Sequence, residues 1–145
     1  MSTEENKTLV LRLLQILNEH EDLDKLGEVC GATMADYAAP PGTPLDLNGY
    51  TQIMAMLRTA FPDIHYTVED LIAEGDRVVV RGVMTGTHRG TFMDRVPATG
   101  NSIAMEAIHI FRVEDGKLVE HRAVRDDLTL FQQLGVIPRP QPAIA

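Results

Sequence analysis

NSIAMEAIHIFRVEDGKLVEHRAVRDD, residues 101–127, holds two apolar runs, Ser102–Val113 and Lys117–Asp126, on either side of Glu114-Asp115-Gly116. Asp-Gly between alternating apolar runs is a strong hairpin signal, because both central residues of a tight two-residue turn take φ > 0. A turn at Asp115-Gly116 sets Glu114 opposite Lys117. An unbroken ladder then places His109 opposite Arg122, Ala107 opposite Val124 and Met105 opposite Asp126. Side chains alternate between the faces of a strand, so Met105, His109, Phe111, Arg122, Val124 and Asp126 share one side of the sheet. A histidine, an arginine and an aspartate on an otherwise apolar wall read as the floor of a pocket.

Around this hairpin the composition is that of a globular chain. At 145 residues, 44% of them apolar, it suits one domain burying about two-thirds of its unfolded surface. The net charge of −8 excludes nucleic acid and anionic membrane as expected partners, since both need concentrated Lys and Arg. Cys30 is the single cysteine, so an internal disulfide is impossible and a reducing compartment follows. It lies in an apolar run without a cationic neighbour, which suits a core residue better than a nucleophile. The acidic start, Met1-Ser2-Thr3-Glu4-Glu5, has no signal-peptide core, and a cytoplasmic protein is expected.

Taken in order, residues 4–19 predict a helix with the core stripe Val10, Leu13, Leu14 and Leu17. A short helix is expected over Leu23–Cys30 and a short strand over Thr33–Ala38. Residues 39–48 form a Pro- and Gly-rich loop, entered by Tyr37, whose phenol can reach a ligand. Asn48 is expected to cap a helix over Gly49–Phe61, striped by Tyr50, Ile53, Met54 and Leu57 and stopped by Pro62. Strands follow at Ile64–Ile72 and Arg77–His88, the second apolar on both faces. A last helix, Leu128–Leu134, ends at Gly135, and residues 137–145 form a proline-rich tail. Helices first and antiparallel strands after, without a βαβ rhythm, give an α+β fold: one domain over residues 1–136, its curved sheet wrapped around helices with a cavity between. Because one domain supplies helices for only one sheet face, the other is expected to bury in a homodimer.

Asp126, His109 and Arg122 are the strongest chemical candidates. An aspartate on an apolar wall, tuned by a nearby cation, suits general acid/base work near neutral pH. The competing reading is an ion pair between Arg122 and Asp126 or Glu120, with His109 a hydrogen-bonded core residue. His88 and Arg81 fall on opposite faces of their strand, so only one can look into the cavity without a bulge. His65 and His121 are expected at the surface or a subunit interface, although a bulge between Val119 and Asp126 would swap Arg122 and Asp126 for His121 and Ala123 on the cavity face. The sequence has no HExxH, Cys/His cluster, GxGxxG, P-loop or GxSxG, so neither a metal nor any other cofactor is expected.

Several segments in succession carry a family likeness: Ala60-Phe61-Pro62-Asp63, Ala73-Glu74-Gly75-Asp76-Arg77-Val78, Gly86-Thr87-His88-Arg89-Gly90, Pro97-Ala98-Thr99-Gly100, Ile108-His109-Ile110-Phe111-Arg112-Val113, Asp115-Gly116-Lys117 and Gln133-Leu134-Gly135. Their order resembles the SnoaL-like polyketide cyclases of the nuclear transport factor 2-like superfamily, over about residues 5–136. The resemblance implies a cone-shaped α+β barrel with a deep pocket, packed as a dimer through the sheet. It also implies cofactorless ring closure of a polyketide by intramolecular aldol condensation, with an aspartate as acid/base. His109 matches the family's pocket histidine, and Asp126 a carboxylate common in the wider family. Departures stand at Ala38 and Ala39, where members often carry a histidine, at Arg122, where many carry tryptophan, and at Ala123, the place of the cyclases' acid/base aspartate. The expectation is therefore an enzyme acting on an apolar, carbonyl-bearing, polyketide-like ligand, with Asp126, His109 and Arg122 catalytic. Tyr37, Tyr50, Met105, Phe111 and His88 are expected to bind the ligand. The alternative is a non-catalytic binding or dimerisation module on the same fold, favoured by Ala123.

Overall fold

A computed structural model of the chain describes residues 2–140. Three helices, α1 (Thr3–Asn18), α2 (Leu47–Ala60) and α3 (Asp127–Gln133), accompany a 3₁₀ turn at Leu23–Glu28. Five strands follow the order β1 (Cys30–Asp36), β2 (His65–Glu74), β3 (Arg77–Thr87), β4 (Ser102–Glu114) and β5 (Lys117–Arg125). The last residues of the expected tail, 141–145, lie outside the described residues.

Local chemistry fixes the helix ends. The Ser2 hydroxyl accepts from the Glu5 N–H and caps the start of α1. Asp46, in place of Asn48, caps α2 by accepting from the Gly49 N–H. Gly49 itself is pressed against the chain before it: an added Cβ would meet the Pro44 carbonyl oxygen at 1.8 Å, so only glycine lets the 37–46 loop fold back on α2. No helix among the described residues is long and apolar enough to cross a membrane.

The strands form one sheet in the order β1-β5-β4-β3-β2. The β2–β3, β3–β4 and β4–β5 pairs are antiparallel, as expected, whereas β1 joins the edge parallel to β5. The concave face carries Val78, Val80, Phe111, Val113 and Leu118 against Val10, Leu13 and Ile16 of α1. A second apolar cluster, including Phe61, Met84, Phe92, Ile103, Met105, Leu130 and Leu134, closes the other end beneath α3. The mixed α+β fold is the one expected.

The hairpin register is corrected. Asp115 and Gly116 take φ of 50° and 74°, and Glu114 pairs with Lys117 and Val113 with Leu118 as expected. Val119 then bulges. From there Arg112 pairs with Glu120, His109 with Ala123 and Ala107 with Arg125. An unbroken ladder would carry Glu120 and Arg122 to the same face as the fully buried Leu118. Burying those charges costs several kcal/mol each, far more than one unpaired residue. The bulge instead sends Glu120 outward to Arg112, 3.1 Å away, and turns His121, Ala123 and Arg125 toward the concave face. A one-residue slip exchanges the two faces of everything beyond it.

Candidate functional site

Between the concave sheet and α1 and α2 lies a cavity of about 110 Å³. Its wall is mostly apolar, with Leu14 and Leu17 from α1, Ile53 and Leu57 from α2, and Met84 and Met105 from the sheet. Polar groups enter at few points: Asn18, Asp36, Tyr50, Arg58, Tyr66, His109, His121 and Arg125. An apolar enclosure with a few convergent polar groups is the usual form of a small-molecule site.

Three of these groups form a line. Asp36 Oδ1 lies 2.8 Å from His121 Nδ1, and His121 Nε2 lies 2.9 Å from His109 Nδ1. Asp36 and His121 are buried, at 2% and 4% exposure, and β1 brings them together by pairing Asp36 directly with His121. Asp36 Oδ1 also accepts the Ala38 N–H, so this oxygen acts as an acceptor. Assigned from this network, His121 carries its proton on Nδ1 and gives it to Asp36, which leaves Nε2 to accept from His109 Nδ1–H. His109 Nε2 then bears a lone pair. Among the described residues it has no hydrogen-bond partner and is not sealed off, so it opens to the cavity.

Aromatic packing sets the angles of the rings. His109 and His121 stack with centroids 5.2 Å apart, Phe111 stacks on His121 at 4.8 Å, and Tyr66 meets His109 edge-on at 5.2 Å. The Tyr66 hydroxyl is fixed by donating to the Ala107 carbonyl at 2.8 Å. Burial, with His121 and Arg125 nearby, lowers the His109 pKa to about 3, against a smaller opposing pull from Asp36. His109 is therefore a neutral imidazole at physiological pH. Burial holds the Tyr50 phenol well above its ordinary value, so it is a proton donor there. The same cause pushes the Cys30 thiol up to about 12, which suits the inert core residue expected of it.

Of the residues singled out in the sequence, His109, Tyr50, Met105 and Phe111 line the cavity. The expected positions of the others are corrected. Arg122 points outward, its guanidinium 4.1 Å from the centre of the Tyr37 ring, and Tyr37 is half exposed beneath it. Neither lines the cavity, because the Val119 bulge turned one away and the other leaves the strand end on the outside. Asp126 lies beyond the last pair of β5 and caps α3: its carboxylate accepts from the Thr129 hydroxyl at 2.6 Å and the Thr129 N–H at 3.1 Å. These bonds hold its pKa below the usual carboxylate range, at an exposed site. His88 is wholly buried outside the cavity, where Nδ1 accepts the Thr99 N–H and the ring packs on Phe61. His121, expected at the surface or an interface, is part of the core.

Asn18, Asp36, Arg58, Tyr66 and Arg125 were not anticipated on the cavity wall, and His121 only as the outcome of a bulge after Val119. A signal existed for Asp36, which shares the strand parity of the buried Met34. Another existed for the bulge, because Glu120 and Arg122 follow Leu118 at the spacing that would bury them.

Replacing Asp126 with Ala tests its position. The substitution should lower the melting temperature by a few degrees through loss of the cap and leave ligand turnover unchanged. A loss of turnover out of proportion to the shift in melting would return Asp126 to the site.

The solved structure of TsrD from Streptomyces laurentii superposes with a TM-score of 0.85 at 26% identity, covering 94% of this chain and 99% of that one. Wild-type IdmH from Streptomyces antibioticus gives 0.77 at 34% identity, covering 90% and 99%. In sequence, the aklanonic acid methyl ester cyclase DnrD of Streptomyces peucetius is 32% identical over 94 residues, which are 64% of this chain and 63% of DnrD. The cyclase of the same name from Streptomyces sp. strain C5, DauD, is 38% identical over 68 residues, 47% of this chain and 41% of DauD. The chain thus spans less than two-thirds of each of these two relatives. The pattern of the SnoaL-like polyketide cyclases matches residues 7–134, and the chain belongs to that family.

Proposed function

We propose that this protein is a cofactor-independent cyclase or isomerase that exchanges a proton at the carbon α to a carbonyl of an apolar, polyketide-like ligand. Intramolecular aldol ring closure depends on that step. The observation that carries the reading is the line Asp36–His121–His109, ending in an unengaged imidazole nitrogen inside an apolar cavity. His109 Nε2 takes the α proton: the C–H bond breaks, its electron pair passes to the enolate oxygen, and an N–H bond forms. A cation on His109 alone is disfavoured by burial. The His109 Nδ1 proton therefore passes to His121 Nε2, and the positive charge comes to rest beside the Asp36 carboxylate. The Tyr50 hydroxyl, without a hydrogen-bond partner among the described residues, is the donor available to the enolate. In ring closure the enolate carbon attacks a second carbonyl carbon of the ligand, and the π electron pair of that carbonyl passes to its oxygen. The alkoxide takes the proton from His109 Nε2 as His121 Nε2 returns its own to His109 Nδ1; in isomerisation the proton returns instead to a different carbon.

Two relatives named as aklanonic acid methyl ester cyclases support ring closure on a polycyclic ligand. A buried lone cysteine and a net charge of −8 suit a cytoplasmic setting without nucleic acid or membrane partners. The second reading, a non-catalytic binding module, is favoured by Ala123, which stands opposite His109 where the cyclases' aspartate is expected. Deuterium exchange into the methyl group of 2-acetylanthraquinone in D₂O, followed by proton NMR, separates the two. Exchange above the buffer rate supports the enzyme, and binding without exchange supports the module.

The proposed assembly is a homodimer through the convex sheet face. Ile72, Ile108 and Val124 are 59%, 39% and 77% exposed there, and the helices cover only the opposite face. Sedimentation at micromolar concentration should give twice the 16.0 kDa chain mass. A single species at the chain mass would refute it.

A further inference from the structure

We propose that Arg58, through Nε, binds a second, non-reacting carbonyl oxygen of a neutral ligand, and so selects and orients ketones and quinones in the cavity. The inference rests on the cavity being the ligand site and adds a fixed point on its helical wall. Arg58 belongs to α2 and His109 to β4, so the two stand on opposite walls. The ends of the Arg58 fork are spent elsewhere. Nη1 donates to the Glu21 carbonyl at 2.7 Å and Nη2 to the Ile16 carbonyl at 3.0 Å, which ties α2 to the end of α1. Neither Ile16 nor Glu21 lines the cavity, so what Arg58 brings to the wall is its stem and Nε.

Nε is buried and has no hydrogen-bond partner among the described residues. A buried donor left unpaired is costly, most of all on a charged group, and the two clamping bonds keep this one from turning to water. The polar groups nearby cannot relieve it. Asn18 already donates to the Tyr66 carbonyl and accepts the Tyr66 N–H, and Asp36 is occupied by His121 and the Ala38 N–H. The acceptor therefore comes with the ligand, whose oxygen reaches Nε by parting the side chains that close it to water. A single N–H decides the kind of acceptor. A guanidinium takes a carboxylate by two parallel bonds, and one bond does not offset the desolvation of that charge against an apolar wall. A carbonyl oxygen gives up far less hydration and needs only one bond. Burial draws the Arg58 pKa down, against a smaller opposing pull from Asp22, yet a guanidinium stays charged at physiological pH. The bond to the carbonyl is therefore charge-assisted, roughly twice as strong as a neutral one.

Two substitutions separate the clamp on α1 from the donor in the cavity. Arg58→Lys sets a methylene where Nε stands and keeps an ammonium that can donate to the Glu21 and Ile16 carbonyls. Arg58→Gln sets an amide nitrogen at the place of Nε and leaves those carbonyls without their donor. Calorimetric titration of each whole chain with 2-acetylanthraquinone and with 2-acetylanthracene, which lacks the two ring carbonyls, reads the difference. The preference for the quinone should fall about 10–100-fold from the wild type to Arg58→Lys, as expected for one hydrogen bond to a charged group, while melting changes little. Arg58→Gln should melt earlier and keep part of the preference. A preference unchanged in Arg58→Lys, or lost equally in both variants, would overturn the inference. Deuterium exchange into the acetyl methyl group of the quinone, measured on the same chains, tells this failure from failure of the proposed chemistry. Exchange by a chain with an unchanged preference would overturn the role of Arg58 alone, and a wild-type chain that binds neither compound would overturn both readings.

Discussion

Replacing His109 with Gln should lower turnover of a polyketide-like substrate by about 10²–10⁴-fold, the usual share of general acid–base catalysis. Gln is close to His in size and still offers hydrogen bonds, but it cannot accept a proton at the position of Nε2. The interaction removed acts mainly in the transition state, so ligand affinity should change little and the loss should fall on kcat. The cavity should keep its shape, because Tyr66, Phe111 and His121 hold the ring's neighbourhood from three elements. Turnover within a few-fold of the wild type would remove His109 from the chemistry and leave the binding module as the better reading.

The second large effect belongs to Asp36. Asp36→Ala strips the acceptor from His121 Nδ1–H and from the Ala38 N–H at a site only 2% exposed. Leaving a buried donor without its acceptor costs about 1–3 kcal/mol, and two are left here, a large part of a domain's total stability. Asp36→Asn keeps the size and an acceptor oxygen, so it should melt much closer to the wild type. Its amide can also offer an N–H to His121, which reverses the proton positions along the line and leaves His109 Nε2 protonated in the resting state. Turnover should therefore fall in Asp36→Asn beyond what its stability explains. Denaturant titration of both variants, read beside turnover, tests the two roles. An Asp36→Ala chain as stable as the wild type would show that the buried line contributes no cohesion. A fully active Asp36→Asn would show that it does not set the protonation of His109.

Local chemistry made much of the fold legible in the sequence. Asp115-Gly116 carries its own turn, because few other pairs take positive φ in succession. Alternation in 77–88 and 102–113 marked strands, and the stripe Val10, Leu13 and Leu14 marked the face of α1 that is now buried. The order of helices and strands gave the α+β class, and a run of short segments gave the family. His109, Tyr50, Met105 and Phe111 were legible as cavity residues because each depends only on the parity of its own strand or helix.

Tertiary structure decided the rest, and two features account for most of it. The Val119 bulge follows from the helices packed on the concave face, which make burial of Glu120 and Arg122 too costly, and it exchanged Arg122 for His121 and Arg125 on the cavity wall. The parallel pairing of β1 with β5 then brought Asp36 to His121 across 85 residues of chain. Turn chemistry and periodicity act within a few residues and determined each hairpin's start. Where a strand slips, and which distant strand joins its edge, depends on what the assembled core will bury.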